Sequence, residues 1–195
     1  MKGSLLSASL ALGLALGAPA GADALKAGAI APDFTLPAAA DGRSVSLKEL
    51  LAKNKAVAVI FVATKCPVSN AYNGRMAALA KEYAAKGIAV LGVNSNVTEP
   101  PGDVAEHAKK NGLDFPILKD SGNKVADAWG ATRTPEVFLL DPKGVVLYHG
   151  RIDENQDDPK GVQSPDFRNA LDSVLAGKPV PKAETKAFGC TIKRA

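Results

Sequence analysis

Residues 55 to 63 form a continuous apolar run, rich in β-branched side chains and bounded by polar residues. A run of this kind predicts a central strand that is buried on both faces of a sheet. Strand and helix patterns alternate from there to about residue 176, which is typical of an α/β domain. Further strands are predicted over 88–93, 115–118, 137–140 and 145–148, and helices over 67–86, 103–111, 123–129 and 165–176.

The 195 residues allow one ordinary domain together with a leader or a tail. Residues 1–24 carry Lys2, an apolar run and three small-x-small cleavage candidates, so we interpret them as a signal peptide. The alternative, an uncleaved membrane anchor, is disfavoured because the apolar run is shorter than the roughly 20 residues that span a bilayer. We therefore expect a domain over 25–176 and a C-terminal tail over 177–195, in a protein that is soluble outside the cytosol after removal of the signal peptide.

Cys66 lies where the predicted central strand gives way to a helix. Unpaired N–H groups at a helix start favour the thiolate form and lower a cysteine pKa from its free value of about 8.5. This position makes Cys66 a candidate nucleophile. The alternative is a buried cysteine that acts only as a small apolar side chain.

The chain has two cysteines, Cys66 and Cys190, which lie 124 residues apart. An exported protein can form disulfides, and an even number of cysteines fits one pair. A bond between the two would join the tail to the first predicted helix, and a loop of that length is worth about 4 to 5 kcal/mol in the chain-entropy model. The sequence leaves open whether the bond forms.

The formal net charge of +4 does not indicate a nucleic-acid partner, because basic residues are not clustered on one element with aromatic residues between them. Neither His107 nor His149 has Cys, Asp or Glu companions at metal-ligand spacing, so both are expected on the surface and no metal site is expected.

Three segments together carry a resemblance to a known family. Residues 28–37 with 41–47 look like an N-terminal hairpin, 61–69 like a redox-active loop, and 134–141 like a Thr-Pro element before a second hairpin. They resemble the thioredoxin-like superfamily, and within it the redoxin branch of peroxiredoxin-like proteins (alkyl hydroperoxide reductase and thiol-specific antioxidant). The resemblance covers about residues 26 to 176 and implies an α/β thioredoxin-like fold, a central mixed β-sheet flanked by helices with an N-terminal redoxin hairpin.

The resemblance also implies roles for particular residues. Cys66 stands at the nucleophile position, and Ser69 stands where thioredoxins have their second cysteine. Pro135 matches a proline that is cis in thioredoxins, which would leave a backbone edge beside Cys66 that can pair with an extended peptide. The alternatives are an ordinary trans proline at Pro135 and, at Ser69, a polar residue that satisfies N–H groups of the first helical turn.

Two departures separate the chain from typical peroxiredoxins. Typical peroxiredoxins have a Pro-x-x-x-Thr-x-x-Cys loop, in which the threonine orients the peroxide. This chain has Val59 and Ala63 at the positions of the Pro and the Thr, so Thr64 is the candidate substitute for that threonine. Arg133 lies two residues away from the usual position of an activating arginine. These departures weaken the expectation of a true peroxidase and leave a weak thiol peroxidase open.

The resemblance therefore predicts an exported, thiol-dependent oxidoreductase in the periplasm. Its Cys66 would attack disulfides or peroxides, and Cys190 or an external thiol would release the covalent intermediate. Cys190 has two alternative roles, a structural staple or a site of intermolecular pairing. No metal, flavin or nucleotide cofactor is expected, and the expected partners are a thiol or disulfide protein, a peroxide and an external thiol reductant. The rival hypothesis is a redox-inert binding or chaperone module that has kept the fold.

Overall fold

The computed structural model describes residues 23 to 194. The predicted signal peptide over 1–24 lies outside the described residues, apart from Asp23 and Ala24. No helix within residues 23–194 combines the length and the apolar character that crossing a membrane requires.

The described residues contain nine strands and six α-helices. The strands are β1 (Thr35–Pro37), β2 (Ser44–Ser46), β3 (Ala56–Phe61), β4 (Ile88–Asn94), β5 (Ile117–Lys119), β6 (Arg133–Thr134), β7 (Glu136–Leu140), β8 (Val146–Gly150) and β9 (Cys190–Thr191). The helices are α1 (Leu47–Lys53), α2 (Pro67–Ala71), α3 (Asn73–Ala84), α4 (Pro101–Lys110), α5 (Lys124–Trp129) and α6 (Asp166–Leu175), and a single 3₁₀ turn covers Pro159–Gly161.

Five strands form the central sheet in the order β5-β4-β3-β7-β8. Strand β3 is at its centre, pairs parallel with β4 and antiparallel with β7, and every one of its residues is buried. Strands β1 and β2 form a separate antiparallel hairpin near the N-terminus. The predicted mixed sheet flanked by helices, the buried central strand and the N-terminal hairpin are all confirmed.

The two faces of the sheet carry separate apolar clusters, because side chains alternate between faces along a strand. On one face Ala58 and Ile60 of β3 pack with α3 and α6, where Tyr83 and Phe167 are fully buried. On the other face the cluster includes Trp129 of α5, which is fully buried. Both ends of β3 are thus fixed by packing on both sides, and the loop that follows β3 starts from a rigid position.

The predicted single helix over 67–86 is instead two helices, α2 and α3. The regular hydrogen-bond pattern breaks at Tyr72, whose backbone N–H donates to the carbonyl of Ser69, three residues earlier, and not to the carbonyl four residues earlier. The change of direction buries the Tyr72 ring and lets its hydroxyl donate to the Asp153 carboxylate at 3.0 Å. Tertiary contacts of one side chain therefore override the helical periodicity.

The C-terminal tail docks on the domain through a short strand and apolar side chains that pack against the core. Its strand β9 pairs antiparallel with β6, with Arg133 opposite Thr191 and Thr134 opposite Cys190. Ile192 is only 3% exposed and joins the apolar cluster that contains Trp129. The sequence does not predict this docking, because it rests on a two-residue strand and on a few scattered apolar side chains, which have no periodic signature.

Candidate redox site

Cys66 caps the N-terminus of α2, directly after the loop that leaves β3. It is 3% exposed, and its Sγ accepts a hydrogen bond from the Ser69 N–H at 3.3 Å. The structure contains a disulfide between Cys66 and Cys190, whose Cα atoms are 5.8 Å apart. The pairing that the sequence left open is therefore present.

Ser69 occupies the place of a second active-site cysteine and is fully buried. Its Oγ accepts a hydrogen bond from the backbone N–H of Ala63 at 3.2 Å, while its own N–H donates to the sulfur of Cys66. The side chain thus ties the end of β3 to the start of α2, which fits the alternative of a polar residue that satisfies local N–H groups.

The Thr134–Pro135 peptide bond is cis, as the resemblance implies. The carbonyl oxygen of Thr134 lies 3.3 Å from the Sγ of Cys66, so the backbone of β6 borders this sulfur directly. This edge is occupied: Cys190 lies opposite Thr134, and the hydroxyl of Thr134 donates to the Cys190 carbonyl at 3.4 Å.

Thr64 and Arg133 differ in how they relate to the sulfur pair. The hydroxyl of Thr64 is buried and has no hydrogen-bond partner among the described residues. The guanidinium of Arg133 is directed to the tail, where it donates to the hydroxyl of Thr191 at 3.0 Å and to the carbonyl of Gly189. Thr64 therefore has an unused donor in the loop that leads to Cys66, whereas Arg133 helps to hold the tail.

Glu99 organises the loop between β3 and Cys66 and was not singled out in the sequence. Its carboxylate is 1% exposed and accepts the backbone N–H groups of Thr64 at 2.9 Å and Lys65 at 3.0 Å. The side-chain amide of Asn94 donates to the same carboxylate at 2.6 Å. One signal could have found Glu99: it follows β4, and the carboxyl ends of neighbouring parallel strands meet at one edge of a sheet.

A second buried charge supports this network. The ammonium of Lys119 donates to Asn94 at 2.8 Å and to the Asn96 carbonyl at 2.6 Å. Burial lowers the pKa of Lys119, although the carboxylate of Glu99 partly opposes that change. Burial alone would raise the pKa of Glu99, but the hydrogen bonds from Thr64, Asn94 and Lys65 more than offset it and bring the pKa below the usual 4.5.

We expect Glu99→Gln to lower the free energy of unfolding by about 2 kcal/mol at pH 7, because a neutral amide cannot accept three charge-assisted hydrogen bonds as a carboxylate does. A carboxyl group whose pKa is lowered by folding stabilises the protein above its unfolded pKa of about 4.5, and this contribution is lost as the pH falls through the folded pKa. Urea unfolding of the wild type and the variant between pH 7 and pH 3 measures the difference.

The exposed residue Glu106 of α4 provides the control, and Glu106→Gln should leave stability within about 0.5 kcal/mol of the wild type. A wild-type advantage over Glu99→Gln that stays constant down to pH 3 would contradict the assigned role of the Glu99 carboxylate.

A further buried pair holds the strand beside Cys66. One carboxylate oxygen of Glu136 accepts the N–H groups of Thr132 and Arg133, each at 2.8 Å, and the other lies 2.7 Å from Nε2 of His149. The expectation that His149 lies on the surface was wrong: its side chain is 13% exposed and stacks on Phe138. Glu136 thus fixes the backbone at the start of β6, and His149 holds the carboxylate of Glu136 in place.

Among residues 23–194 no group of three or more His, Cys, Asp or Glu side chains is arranged to hold a metal ion. The site brings together two sulfur atoms, that of Cys66 on the scaffold and that of Cys190 on the tail, with the N–H of Ser69 as a hydrogen-bond donor to the sulfur of Cys66.

The chain is similar in sequence and in structure to known proteins. The thiol-disulfide oxidoreductase ResA of Halalkalibacterium halodurans is 34% identical over 107 residues, which are 55% of this chain and 58% of that protein. The chain thus spans little more than half the length of that relative. A hypothetical protein of Sinorhizobium meliloti has a crystal structure that matches with a TM-score of 0.81 at 35% identity, over 89% of this chain and 97% of the other.

The thioredoxin domain of a thiol-disulfide oxidoreductase from Bacteroides vulgatus matches with a TM-score of 0.57 at 21% identity, over 65% of this chain and 89% of the other. That match concerns the fold alone and confirms the predicted thioredoxin-like architecture. The sequence profile of the AhpC/TSA family matches residues 27–149, from the N-terminal hairpin through the central sheet. Since the match takes in the strand before Cys66 and the cis-proline turn beside it, the chain belongs to the AhpC/TSA family.

Proposed function

We propose that this protein is a thiol oxidoreductase in which Cys66 is the nucleophile and Cys190 is the resolving cysteine. The observation that carries the proposal is the bond between these two residues at the sulfur that the Ser69 N–H contacts and that borders the Thr134–Pro135 turn. Membership of the AhpC/TSA family and the similarity to ResA, a thiol-disulfide oxidoreductase, support the same class of chemistry.

In the reduced protein the hydrogen bond from the Ser69 N–H stabilises negative charge on the sulfur of Cys66. With a hydroperoxide, the Cys66 thiolate attacks one oxygen, the O–O bond breaks, and a sulfenic acid and an alcohol or water result. The Cys190 thiolate then attacks the Cys66 sulfur and displaces hydroxide, which leaves as water. With a small disulfide, Cys66 forms a mixed disulfide and releases one thiolate, and Cys190 releases the second. Two external thiols return the two electrons and become a disulfide.

Two other residues have positioning roles in this proposal. Pro135, through the turn that it forms, keeps the Thr134 carbonyl 3.3 Å from the reacting sulfur. Thr64 offers an unpaired hydroxyl in the loop before Cys66, which can donate a hydrogen bond to the oxygen of a peroxide. Both roles are consistent with the packing around the loop, in which Glu99 fixes the backbone of Thr64.

The proposal includes export to the periplasm. Its support is the charged, apolar and small-residue pattern of residues 1–24 and the disulfide itself, since disulfides persist in oxidising compartments.

The test is a count of free thiols in the reduced protein after one equivalent of hydrogen peroxide or of a small disulfide, with rapid alkylation and intact mass measurement. We expect both thiols to be lost together within seconds, because Cys190 is adjacent to Cys66 in the folded chain. Two thiols that remain alkylatable with every oxidant would contradict the proposal and favour a structural disulfide in a redox-inert binding module. Cys66→Ser is the matched control, in which Cys190 should stay free.

A further inference from the structure

The C-terminal segment lies where an incoming peptide would bind. Extended peptides are recognised when they add a strand to an exposed sheet edge. The edge that borders Cys66 is β6, and it is already paired with β9 through Cys190 and Thr191. The ladder continues past the strand, because the N–H of Ile192 donates to the Thr132 carbonyl at 3.0 Å.

The segment is held after Cys190 by contacts that do not involve sulfur. Ile192 is buried to 3% exposure against the core. The N–H of Lys193 donates to the side chain of Asn96 at 2.7 Å, and the Lys193 carbonyl accepts the N–H of Val97 at 3.1 Å. Arg194 adds an ion pair with Asp127 at 2.7 Å.

The segment is also held before Cys190. The hydroxyl of Thr185 accepts the N–H of Arg151 at 3.0 Å and lies 2.7 Å from the hydroxyl of Tyr148. The backbone of His149 exchanges hydrogen bonds with Ala183 and Thr185 along the free edge of β8. None of these contacts involves sulfur, so we expect them to hold the tail on β6 when the disulfide is reduced.

Gly189 allows the tail to approach the backbone of β6 closely. Its φ of 137° lies in a region that other residues rarely adopt, and a Cβ at this position would collide with the backbone carbonyl of Thr134. The fit between the tail and the edge of β6 is thus specific to glycine directly before Cys190.

We propose that the segment from Gly189 to Lys193 excludes extended polypeptides from Cys66 and restricts the enzyme to small disulfides and small hydroperoxides. The inference rests on the proposed function and adds the class of substrate. A small molecule needs access only to the sulfur of Cys66, whereas an extended peptide needs the β6 edge that the tail occupies.

The experiment uses full-length Cys190→Ser, in which Cys66 reacts once and the tail is not covalently held. Two probes carry the same leaving group: the mixed disulfide of cysteine with thionitrobenzoate, and a ten-residue extended peptide with the same mixed disulfide on its central cysteine. In each reaction the Cys66 thiolate bonds to the cysteine sulfur of the probe and expels thionitrobenzoate, whose absorbance gives the rate. We expect the peptide to react at least about 10-fold more slowly than the small probe, because the tail blocks the strand edge that the peptide needs.

Two further substitutions, each made separately in the Cys190→Ser variant, are designed to release the tail. Ile192→Asp places a charge in the core, and Gly189→Ala creates the collision with the Thr134 carbonyl. Trypsin cleavage after Lys186 monitors the release. We expect both changes to raise the peptide rate about 10-fold and to alter the small-probe rate less than about 3-fold, whereas Ile192→Val, which keeps the apolar contact, should change neither.

Equal rates for the two probes with the tail seated, or a peptide rate that tail release does not raise, would overturn the inference. A different failure, in which neither probe reacts faster with Cys66 than with free cysteine, would count against the proposed function itself.

Discussion

Cys66→Ser should abolish the turnover of small disulfides and hydroperoxides, with a loss of at least about 100-fold, because a serine hydroxyl is not ionised at neutral pH and is a far weaker nucleophile than a thiolate. Cys190→Ser should behave differently. Its first reaction at Cys66 proceeds at a rate close to that of the wild type, since the Ser69 N–H that contacts the sulfur is unchanged. Stopped-flow measurement of the first reaction, combined with steady-state turnover in the presence of dithiothreitol, separates the two steps.

If Cys190 resolves the intermediate, the turnover of the Cys190→Ser variant should depend on the concentration of external thiol. Its turnover should fall about 10-fold at low dithiothreitol and recover as dithiothreitol is raised, because an external thiol then replaces a tethered one of high effective concentration. Cys66→Ser should not recover at any concentration. If Cys66→Ser turned over at the wild-type rate, Cys66 would not be the nucleophile, and if Cys190→Ser were unaffected at low thiol, Cys190 would not resolve the intermediate.

Reduction of the Cys66–Cys190 bond should lower the free energy of unfolding by about 4 to 5 kcal/mol, one of the largest changes available to this chain. The bond closes a loop with a sequence separation of 124, and opening it restores conformational freedom chiefly to the unfolded state. Guanidinium chloride unfolding with and without reductant measures the effect, and the slope against denaturant should also rise as the unfolded chain exposes more surface.

The double variant Cys66→Ala/Cys190→Ala is the control for this measurement. Its stability should match that of the reduced wild type to within about 1 kcal/mol and should not respond to reductant. A difference of less than about 1 kcal/mol between oxidised and reduced wild type would mean that the bond adds little beyond the hydrogen bonds and the buried Ile192 that already hold the tail.

The sheet and most helices follow from local sequence pattern. The run over 55–63 predicts β3 because a strand buried on both faces must be apolar throughout, and Gly87 and Gly130 sit where α3 and α5 give way to the next segment. The break at Tyr72 could not be predicted in this way. It depends on Asp153, which is 81 residues away in the sequence and becomes a neighbour only after folding.

In the candidate site, too, local features could be predicted from the sequence and long-range contacts could not. The sequence marks Cys66 as a candidate by its position between a strand and a helix, and Pro135 by the resemblance of its segment. The pairing of Cys66 with Cys190 and the docking of β9 depend on contacts between distant parts of the chain, and two residues of strand leave no periodic trace. Glu99 was missed for the same reason, since the backbone N–H groups of Thr64 and Lys65 that donate to it lie 35 and 34 residues earlier in the chain.

The distance between the two cysteines along the chain also bears on how the molecule is assembled. Strands β4, β5, β7 and β8 all lie between Cys66 and Cys190, and the edge that receives Cys190 is fixed by Glu136 and His149 on two of them. Contacts of such long range form late, because the intervening loops must be ordered first. The contacts that hold Cys190 against Cys66 therefore need a nearly complete sheet, and during refolding the rate of disulfide formation should rise once the domain has reached its native topology.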